Sequence, residues 1–211
     1  MFSRFINAAI LAVAAALCAW LIQPTLANGQ PAPAAGACPD IGRYAVGGYP
    51  QVGIVPAGYT PVHTPGGIFP WERSTFNHGQ AVGAANVIAA VDAFTARCPG
   101  VPVDLYGYSY GAAVVHTAVE TLDTRPYAGQ VSVQLYGNPR HPGGIEDTYR
   151  GWIFPGVYLR GAARTPVNVA SFTDRCNYGR DIICDAPHFL RDPLGALAGI
   201  GGYLGSGHTY S

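Results

Sequence analysis

The sequence of 211 residues contains no lysine and few charged residues of any kind. Arginine supplies all twelve basic side chains, twelve aspartates and glutamates balance them, and charged residues make up 11% of the chain, against about 25% in an average soluble domain. This balance leaves neither a basic surface for nucleic acid nor an acidic surface for cations. We predict no nucleic-acid partner, and we attribute the missing lysine to the source genome rather than to function.

The chain also lacks the ligand spacings that are typical of metal sites. Neither a C-x-x-C pair nor an H-E-x-x-H motif occurs, which disfavours a zinc site and a metallohydrolase. Glycine and proline are abundant but follow no period, so collagen-like and repeat architectures are not supported. We predict no metal and no cofactor.

The first residues have the features of an export signal. Arg4 precedes an apolar stretch at 5–22, and Thr25-Leu26-Ala27 provides a small-residue cleavage site, so residues 1–27 are predicted to be a signal peptide. The apolar stretch is close to the length of a membrane-spanning helix, which leaves an uncleaved anchor open. Residues 28–37 are predicted to be a flexible leader and residues 38–211 a single domain. The predicted location is secreted or at the cell envelope.

Four cysteines remain after the predicted signal peptide, at positions 38, 98, 176 and 184. An even number in an exported domain indicates two disulfides, for which three pairings exist. The short separation of Cys176 and Cys184 favours a small closed loop, and this pairing leaves Cys38 with Cys98.

The segment at 101–113 combines a strand pattern, a G-x-S-x-G turn and the start of a helix. Apolar residues alternate before the turn and recur at helical spacing after it. A serine exposed at the end of a buried strand needs glycines at Gly107 and Gly111, because its turn is too tight for side chains there. This context predicts that Ser109 is a nucleophile. The alternative is an ordinary strand-to-helix turn in which Ser109 caps the helix.

Further strand patterns lie at 43–47, 131–136 and 167–172, and helix patterns lie between them. Strands that alternate with helices predict an α/β fold with a mostly parallel central sheet and helices on both faces. In such sheets the active groups lie on loops after the carboxyl ends of the strands. Ser109, the turn at Asn138 and the loop between Cys176 and Cys184 all occupy such positions.

A nucleophilic serine requires a histidine base and a carboxylate that orients the base. In this fold the acid and the base follow the serine in the chain. The candidates in those positions are Asp174, Asp181, Asp185, Asp192, His188 and His208. We interpret the other histidines as structural, with His141 at the rim of the site.

The turn at 107–112 and the four cysteines resemble those of cutinases, which are small secreted α/β-hydrolases. In that family one disulfide joins the start of the mature chain to a cysteine before the nucleophile strand, and the other brackets the catalytic aspartate. Segments 136–144, 180–187 and 207–210 are even more similar to the PE-PPE-domain serine hydrolases of mycobacteria and their relatives. This resemblance extends over the whole predicted domain and implies an α/β-hydrolase fold with the pairs Cys38–Cys98 and Cys176–Cys184.

The resemblance also implies a catalytic triad. Ser109 would be the nucleophile, Asp181 the orienting acid and His208 the general base, with Asp185 and His188 as the second choices. We favour His208 over His188, because a base must reach the serine from a separate loop.

An oxyanion hole is expected from two backbone N–H groups, that of Tyr110 next to the nucleophile and that of Gly48 in the loop after the first strand. The side chain of Tyr110 either narrows the acyl entrance or packs against the protein.

The expected function is hydrolysis of carboxylic esters with short- to medium-chain acyl or lipid groups. Two alternatives remain, an acyltransferase that uses the same triad on envelope glycolipids and a non-catalytic binding module of the envelope. We expect an ester or lipid substrate, cell-envelope association and a monomer. The apolar residues at 189–204 predict a helix, which packs on the core or covers an acyl groove.

Overall fold

A five-stranded parallel sheet organises the chain. The structure is a computed structural model that describes residues 37–67 and 74–210. The strands of the sheet are β1 (Gly42–Val46), β2 (Thr60–Pro61), β3 (Val103–Tyr108), β4 (Val131–Tyr136) and β7 (Ser171–Arg175), while β5 (Ile153–Phe154) and β6 (Val157–Tyr158) form a separate antiparallel pair. The described helices are α1 (Phe76–Arg97), α2 (Tyr110–Leu122), α3 (Ile145–Thr148) and α4 (Pro193–Gly205), with a 3₁₀ turn at Ala128–Gln130.

The order of the strands explains where the helices lie. The sheet runs β2-β1-β3-β4-β7, so the chain moves in one direction from β2 through α1 to β3 and from β3 through α2 to β4. Right-handed crossovers in one direction place their helices on the same face of a sheet. The prediction of a parallel sheet with helices is confirmed, and α1 and α2 lie on one face of the sheet.

The core lies between the sheet and these two helices. Alternate residues of β3 and β4 point toward it, and Leu105, Val133 and Leu135 have no exposed surface. Helices α1 and α2 contact each other and bury Val87, Val91 and much of α2 against the strands. Burial of these side chains is the main source of stability for this face of the sheet.

Two strands differ from their predicted ranges in a way that affects the site. Strand β3 continues to Tyr108 and therefore delivers Ser109 directly at its carboxyl end. Strand β7 begins at Ser171 rather than at residue 167, because the backbone N–H groups of Val167 and Asn168 donate to the carboxylate of Asp123 instead of to the sheet.

Both predicted disulfides are present. Cys38 pairs with Cys98 and ties the start of the described domain to the end of α1. Cys176 pairs with Cys184 and closes a short loop after β7. Both cysteine predictions are thereby confirmed.

The predicted signal peptide at 1–27 and the leader up to residue 36 lie outside the described residues. Among the residues that the structure does describe, none of the helices is long and apolar enough to cross a membrane.

Candidate active site

Ser109 occupies an unusual backbone conformation at the end of β3. Its φ of 55° makes it the one non-glycine residue with positive φ among the described residues. The N–H of Ser109 donates to the carbonyl of Tyr136 at 2.8 Å, which fixes the turn to the neighbouring strand. The Ser109 hydroxyl makes no capping hydrogen bond to α2. A serine held in a strained conformation without capping its helix is the arrangement expected of a nucleophile turn.

The two glycines that flank Ser109 are required by close backbone contacts. A Cβ atom on Gly107 would lie 2.7 Å from the Cα of Ala112. A Cβ atom on Gly111 would overlap the carbonyl groups of Val46 and Gly47. The turn therefore packs α2 directly onto β1, and any side chain at either position would displace Ser109.

Asp181 and His208 form a buried pair beside this turn. The Nδ1 of His208 lies 2.7 Å from the Oδ2 of Asp181, and Asp181 has no exposed surface. The Tyr210 hydroxyl donates to the same Oδ2 atom at 2.5 Å, and the N–H of Ile183 donates to Oδ1 at 3.0 Å. The disulfide loop Cys176–Cys184 carries Asp181. The carboxylate is held by three donors, which fix its orientation.

Contacts from three directions hold His208. Tyr108 donates its hydroxyl to the His208 carbonyl at 2.7 Å, and the two rings lie 5.0 Å apart. Asn177 donates to the carbonyl of Gly207 at 2.8 Å, and the ring of Tyr203 lies 5.0 Å from the imidazole. Within the described part of the chain, the buried Nε2 atom of His208 has no hydrogen-bond partner. Since Nδ1 is engaged by Asp181, Nε2 is the atom available for a proton transfer.

Gly137, directly after β4, provides the space for this pair. It has φ +59°, and a Cβ atom there would lie 2.8 Å from the Nδ1 of His208 and 3.1 Å from the Oδ2 of Asp181. The backbone directly after β4 therefore forms one wall of the Asp181–His208 pair.

Two phenols near the pair are held in their protonated form. Burial raises the pKa of Tyr210 well above its usual value, and the adjoining Asp181 carboxylate raises it further. Burial is also the main cause of the raised pKa of Tyr108. Both hydroxyls therefore remain hydrogen-bond donors at physiological pH.

The predicted oxyanion residues lie next to Ser109. A Cβ atom on Gly48 would lie 3.2 Å from the Cβ of Ser109 and 2.9 Å from the Tyr108 ring. Tyr110 is the first residue of α2, where backbone N–H groups have no partner within the helix. The Tyr110 side chain is buried, with its ring 5.3 Å from that of Phe76, so it packs against the protein and does not narrow an acyl entrance.

The second choices for acid and base occupy other positions. His188 stacks on Tyr149, with ring centroids 5.2 Å apart, and its Nδ1 accepts the N–H of Leu190. Asp185 accepts the N–H of Gly179 at 2.6 Å and so stabilises the disulfide loop. The structure brings Asp181 together with His208 and not with His188.

A second polar cluster lies at the ends of β4 and β7. Asn138 donates to the Nδ1 of His116 at 2.9 Å and to Asp174 at 3.0 Å. His141 lies 3.0 Å from Asp174 and 2.8 Å from the Tyr178 hydroxyl. Hydrogen bonding to Asp174 raises the pKa of His141, whereas burial lowers the pKa of His116. The cluster braces the turn that carries Gly137.

The comparison with known families identifies the fold. The sequence profile of the family described as Cutinase matches residues 60–192. The chain belongs to the cutinase family. The matched segment contains Ser109 and Asp181 and ends before His208. The protein is thus a cutinase-like α/β-hydrolase by its family, and its family and its two disulfides are those of an extracellular protein.

Three solved structures are similar to this chain at low identity. Lysin B from Mycobacteriophage D29 is 15% identical with a TM-score of 0.45, and the match covers 66% of this chain and 64% of that one, under two thirds of the phage protein. A cutinase-like protein from Cryptococcus sp. is 23% identical, with coverage of 80% and 93% and a TM-score of 0.47. An acetyl xylan esterase is 19% identical, with coverage of 82% and 100% and a TM-score of 0.44. A search of curated proteins gave no match.

Sequence reasoning missed four residues that build the site: Tyr108, Gly137, Asn177 and Tyr210. A glycine that directly follows a strand at the carboxyl edge is a signal that could have identified Gly137. Asn177 and Tyr210 act through contacts between segments about thirty residues apart. No local pattern encodes such contacts, so these two residues could be found only in the folded chain.

Proposed function

We propose that the protein is a secreted serine esterase that hydrolyses carboxylic esters through an acyl-serine intermediate. The supporting observation is the buried pair of Asp181 and His208, 2.7 Å apart, beside a serine in a strained turn. A paired imidazole whose Nε2 has no partner among the described residues fits the role of a general base.

In the proposed mechanism, the Oγ of Ser109 attacks the ester carbonyl carbon while its proton moves to the Nε2 of His208. The N–H groups of Tyr110 and Gly48 stabilise the resulting oxyanion. Collapse of this intermediate breaks the bond to the alcohol, which takes the proton from His208 and leaves an acyl group on Ser109. Water then gives a proton to Nε2 and attacks the acyl carbon. Collapse of this second oxyanion breaks the bond to the Oγ of Ser109, which takes the proton back from His208 while the carboxylic acid leaves. Asp181 holds Nδ1–H and stabilises the imidazolium in both steps.

The proposed substrates are esters with short- to medium-chain acyl or lipid groups. The proposed location is outside the cell or at its envelope, with residues 1–27 as the export signal. Within the cutinase family, segments 136–144 and 207–210 favour the PE-PPE-domain type of mycobacteria and related bacteria. Gly137 of the first segment lies against Asp181 and His208, and Asn138 braces the turn that carries Gly137 by donating to His116. This similarity therefore lies in residues that form the proposed site.

The proposal is tested by labelling with a fluorescent fluorophosphonate, which reacts with activated serines. We expect the parent protein to be labelled and the Ser109→Ala and His208→Ala variants to lose labelling. His188→Ala is the matched control. Because His188 stacks on Tyr149 and not on Asp181, we expect this substitution to leave labelling intact. Thermal melting checks that each variant is folded. A folded parent that takes no label would contradict the catalytic role and leave a binding module as the better account.

A second experiment defines the reaction. A series of p-nitrophenyl esters of increasing acyl length should give the highest kcat/KM at short to medium lengths, and a response that is flat or absent would count against an acyl-binding groove. Product analysis with and without a sugar acceptor then separates hydrolysis from acyl transfer. Free acid in both reactions supports the esterase, whereas an acylated sugar supports the transferase.

A further inference from the structure

Helix α4 buries its small residues and exposes most of its large apolar side chains, which is the reverse of an ordinary surface helix. Its buried residues are the small Ala196 and Gly199, and a Cβ atom on Gly199 would be in van der Waals contact with Ile182. Its leucines point away from the protein, with Leu194 79%, Leu197 64% and Leu204 78% exposed. A surface helix normally buries its large apolar side chains. The helix therefore presents an apolar face to its surroundings.

This face extends beyond the helix. Leu190 is 85% exposed and Phe189 is 46% exposed directly before α4, and Ile153 is 77% exposed in the β5–β6 hairpin. The Tyr149 ring connects the two regions, because it lies 5.5 Å from Phe189 and 5.1 Å from Trp152. We call this surface the leucine face, and its exposed residues are Trp152, Ile153, Phe189, Leu190, Leu194, Leu197 and Leu204.

The charges around the leucine face indicate what covers it. Helix α4 has no charged residue in its thirteen positions. Arg191 and Asp192 lie before it, and the Asp192 carboxylate caps the helix by accepting the N–H of Gly195. Arg180 lies beside its end, with its guanidinium 3.4 Å from the Ser206 hydroxyl. Both arginines are exposed. The margins therefore carry two cations and one carboxylate that is engaged with the helix N-terminus. The two cations match the anionic headgroups of a lipid layer, and the uncharged apolar surface between them matches its acyl region.

We propose that the leucine face binds an anionic lipid surface. The leucines and Ile153 insert into the acyl boundary, Trp152 lies at the headgroup level, and the two arginines contact the lipid phosphates. The face also reaches the proposed active site, because Tyr203 of α4 contacts the His208 ring. Docking would therefore place the proposed catalytic pair next to ester groups in the lipid layer, a consequence that rests on the proposed function, whereas the binding itself does not.

Co-sedimentation of the purified protein with vesicles tests the proposal. Vesicles of phosphatidylcholine mixed with phosphatidylglycerol are compared with vesicles of phosphatidylcholine alone. We expect the double variant Leu194→Asp, Leu197→Asp to partition at least about tenfold more weakly. Val167→Asp is the matched control, because Val167 is 76% exposed but lies outside the leucine face, and we expect it to bind like the parent. The variants Arg180→Gln and Arg191→Gln should each lose about fivefold, on anionic vesicles alone.

Two further measurements keep the proposal separate from catalysis and from other partners. The difference in emission between the parent and Trp152→Phe should shift to the blue on vesicles, which reports Trp152 directly. Ser109→Ala should bind vesicles like the parent, so loss of catalysis would leave this result intact. Equal binding of the parent and the double leucine variant, without a shift from Trp152, would overturn the proposal. Self-association that the leucine variant abolishes, in place of vesicle binding, would assign the face to a second copy of the chain and would also overturn it.

Discussion

At the scale of single residues, the candidate site depends on the absence of a side chain at Gly137. The residue combines a positive φ with a wall position against the Asp181–His208 pair. Alanine at this position carries two separate penalties. The left-handed conformation costs about 1–2 kcal/mol for any residue with a Cβ, and the added methyl group would overlap the imidazole of His208.

We expect Gly137→Ala to lower kcat/KM by about a hundredfold or more, because displacement of a catalytic group by about 1 Å has effects of this size. Gly100→Ala is the matched control. Gly100 also has a positive φ of 80°, but a Cβ atom there meets nothing within 4 Å. This control should lose stability by a similar amount and keep its activity toward a p-nitrophenyl ester. Equal activity in the two variants would show that Gly137 does not limit the position of His208.

Tyr210 is proposed as a positioning residue, because its hydroxyl donates to the Asp181 oxygen that also binds His208. A hydrogen bond to a charged group is worth about 1.5–3 kcal/mol, so Tyr210→Phe should lower kcat about tenfold with KM within about twofold of the parent. Since the pKa of Tyr210 lies far above its usual value, the hydroxyl stays protonated and the ratio of the two kcat values should be constant from about pH 6 to about pH 9.

Tyr136→Phe is the control for this measurement. The Tyr136 ring lies 5.6 Å from that of Tyr210, but its hydroxyl contacts Gln134 and not Asp181. We expect the control to retain the kcat of the parent. A rise in KM with unchanged kcat in Tyr210→Phe would assign the residue to substrate binding instead.

At the scale of elements, the two disulfides have different roles although their chemistry is the same. Cys38–Cys98 spans 60 residues and lies at the amino-terminal end of the sheet, while Cys176–Cys184 spans 8 residues and carries Asp181 between its ends. The entropy removed from the unfolded chain grows with the length of the closed loop. The long bridge therefore contributes more to stability, and the short bridge fixes a site residue.

Two variants, each with both cysteines of one bridge replaced by serine, should separate these roles. Loss of Cys38–Cys98 should lower the free energy of unfolding by about 4 kcal/mol, and loss of Cys176–Cys184 by about 2.5 kcal/mol. The order should reverse for kcat. Loss of the short bridge should lower kcat about tenfold or more, because it displaces Asp181, whereas loss of the long bridge should change kcat little. Denaturant unfolding and kcat below the transition provide the two measurements. Identical ranking of the variants by stability and by kcat would contradict separate roles.

The elements also mark the limit of what the sequence could predict. The turn at Ser109 and the bridge around Asp181 are local patterns, so each could be read from adjacent residues. The face of the sheet on which a helix lies follows from the order of the strands in the sheet. The alternation of strands and helices along the chain does not reveal that order. Helix α4 was predicted from its apolar residues, but which of its faces is buried was not. Gly199 lies against Ile182, and Ile200 packs on the same cluster, which leaves the leucines outside. The preference for His208 over His188 rested on the need for a base that reaches the serine from a separate loop, and the contacts of Tyr108 and Asn177 that hold His208 were not predictable.

At the scale of the whole molecule, the polar cluster after β4 and β7 couples stability to pH in two opposing ways. His116 is buried and accepts a hydrogen bond at Nδ1 from Asn138, while its Nε2 faces the carbonyl of Arg164. Burial lowers its pKa below the usual 6.5. His141 pairs with Asp174, and this contact raises its pKa above that value. The unfolded chain binds a proton more readily at His116 than the native state does, and the reverse holds for His141.

The directions of these two pKa shifts determine whether each histidine raises or lowers the stability of the native state as pH changes. As pH falls below about 6.5, the unfolded state gains a proton at position 116 and the native state does not, so the native state loses stability. The raised pKa of His141 gives the native state extra stability that is fully present below about pH 6.5 and is lost as pH rises through the folded value. We therefore expect the stability difference between the parent and His116→Asn to narrow from pH 8 to pH 5. Asparagine keeps an acceptor in place of Nδ1 but cannot titrate.

The difference between the parent and His141→Asn should widen over the same interval, which makes each variant the control for the other. Urea unfolding at about pH 8, 6.5 and 5 measures both, and carboxylates that titrate in this range cancel because they are common to all three proteins. Parallel curves for the parent and both variants would mean that neither histidine changes its affinity for protons on folding. In that case the cluster would brace the Gly137 turn without making it sensitive to pH.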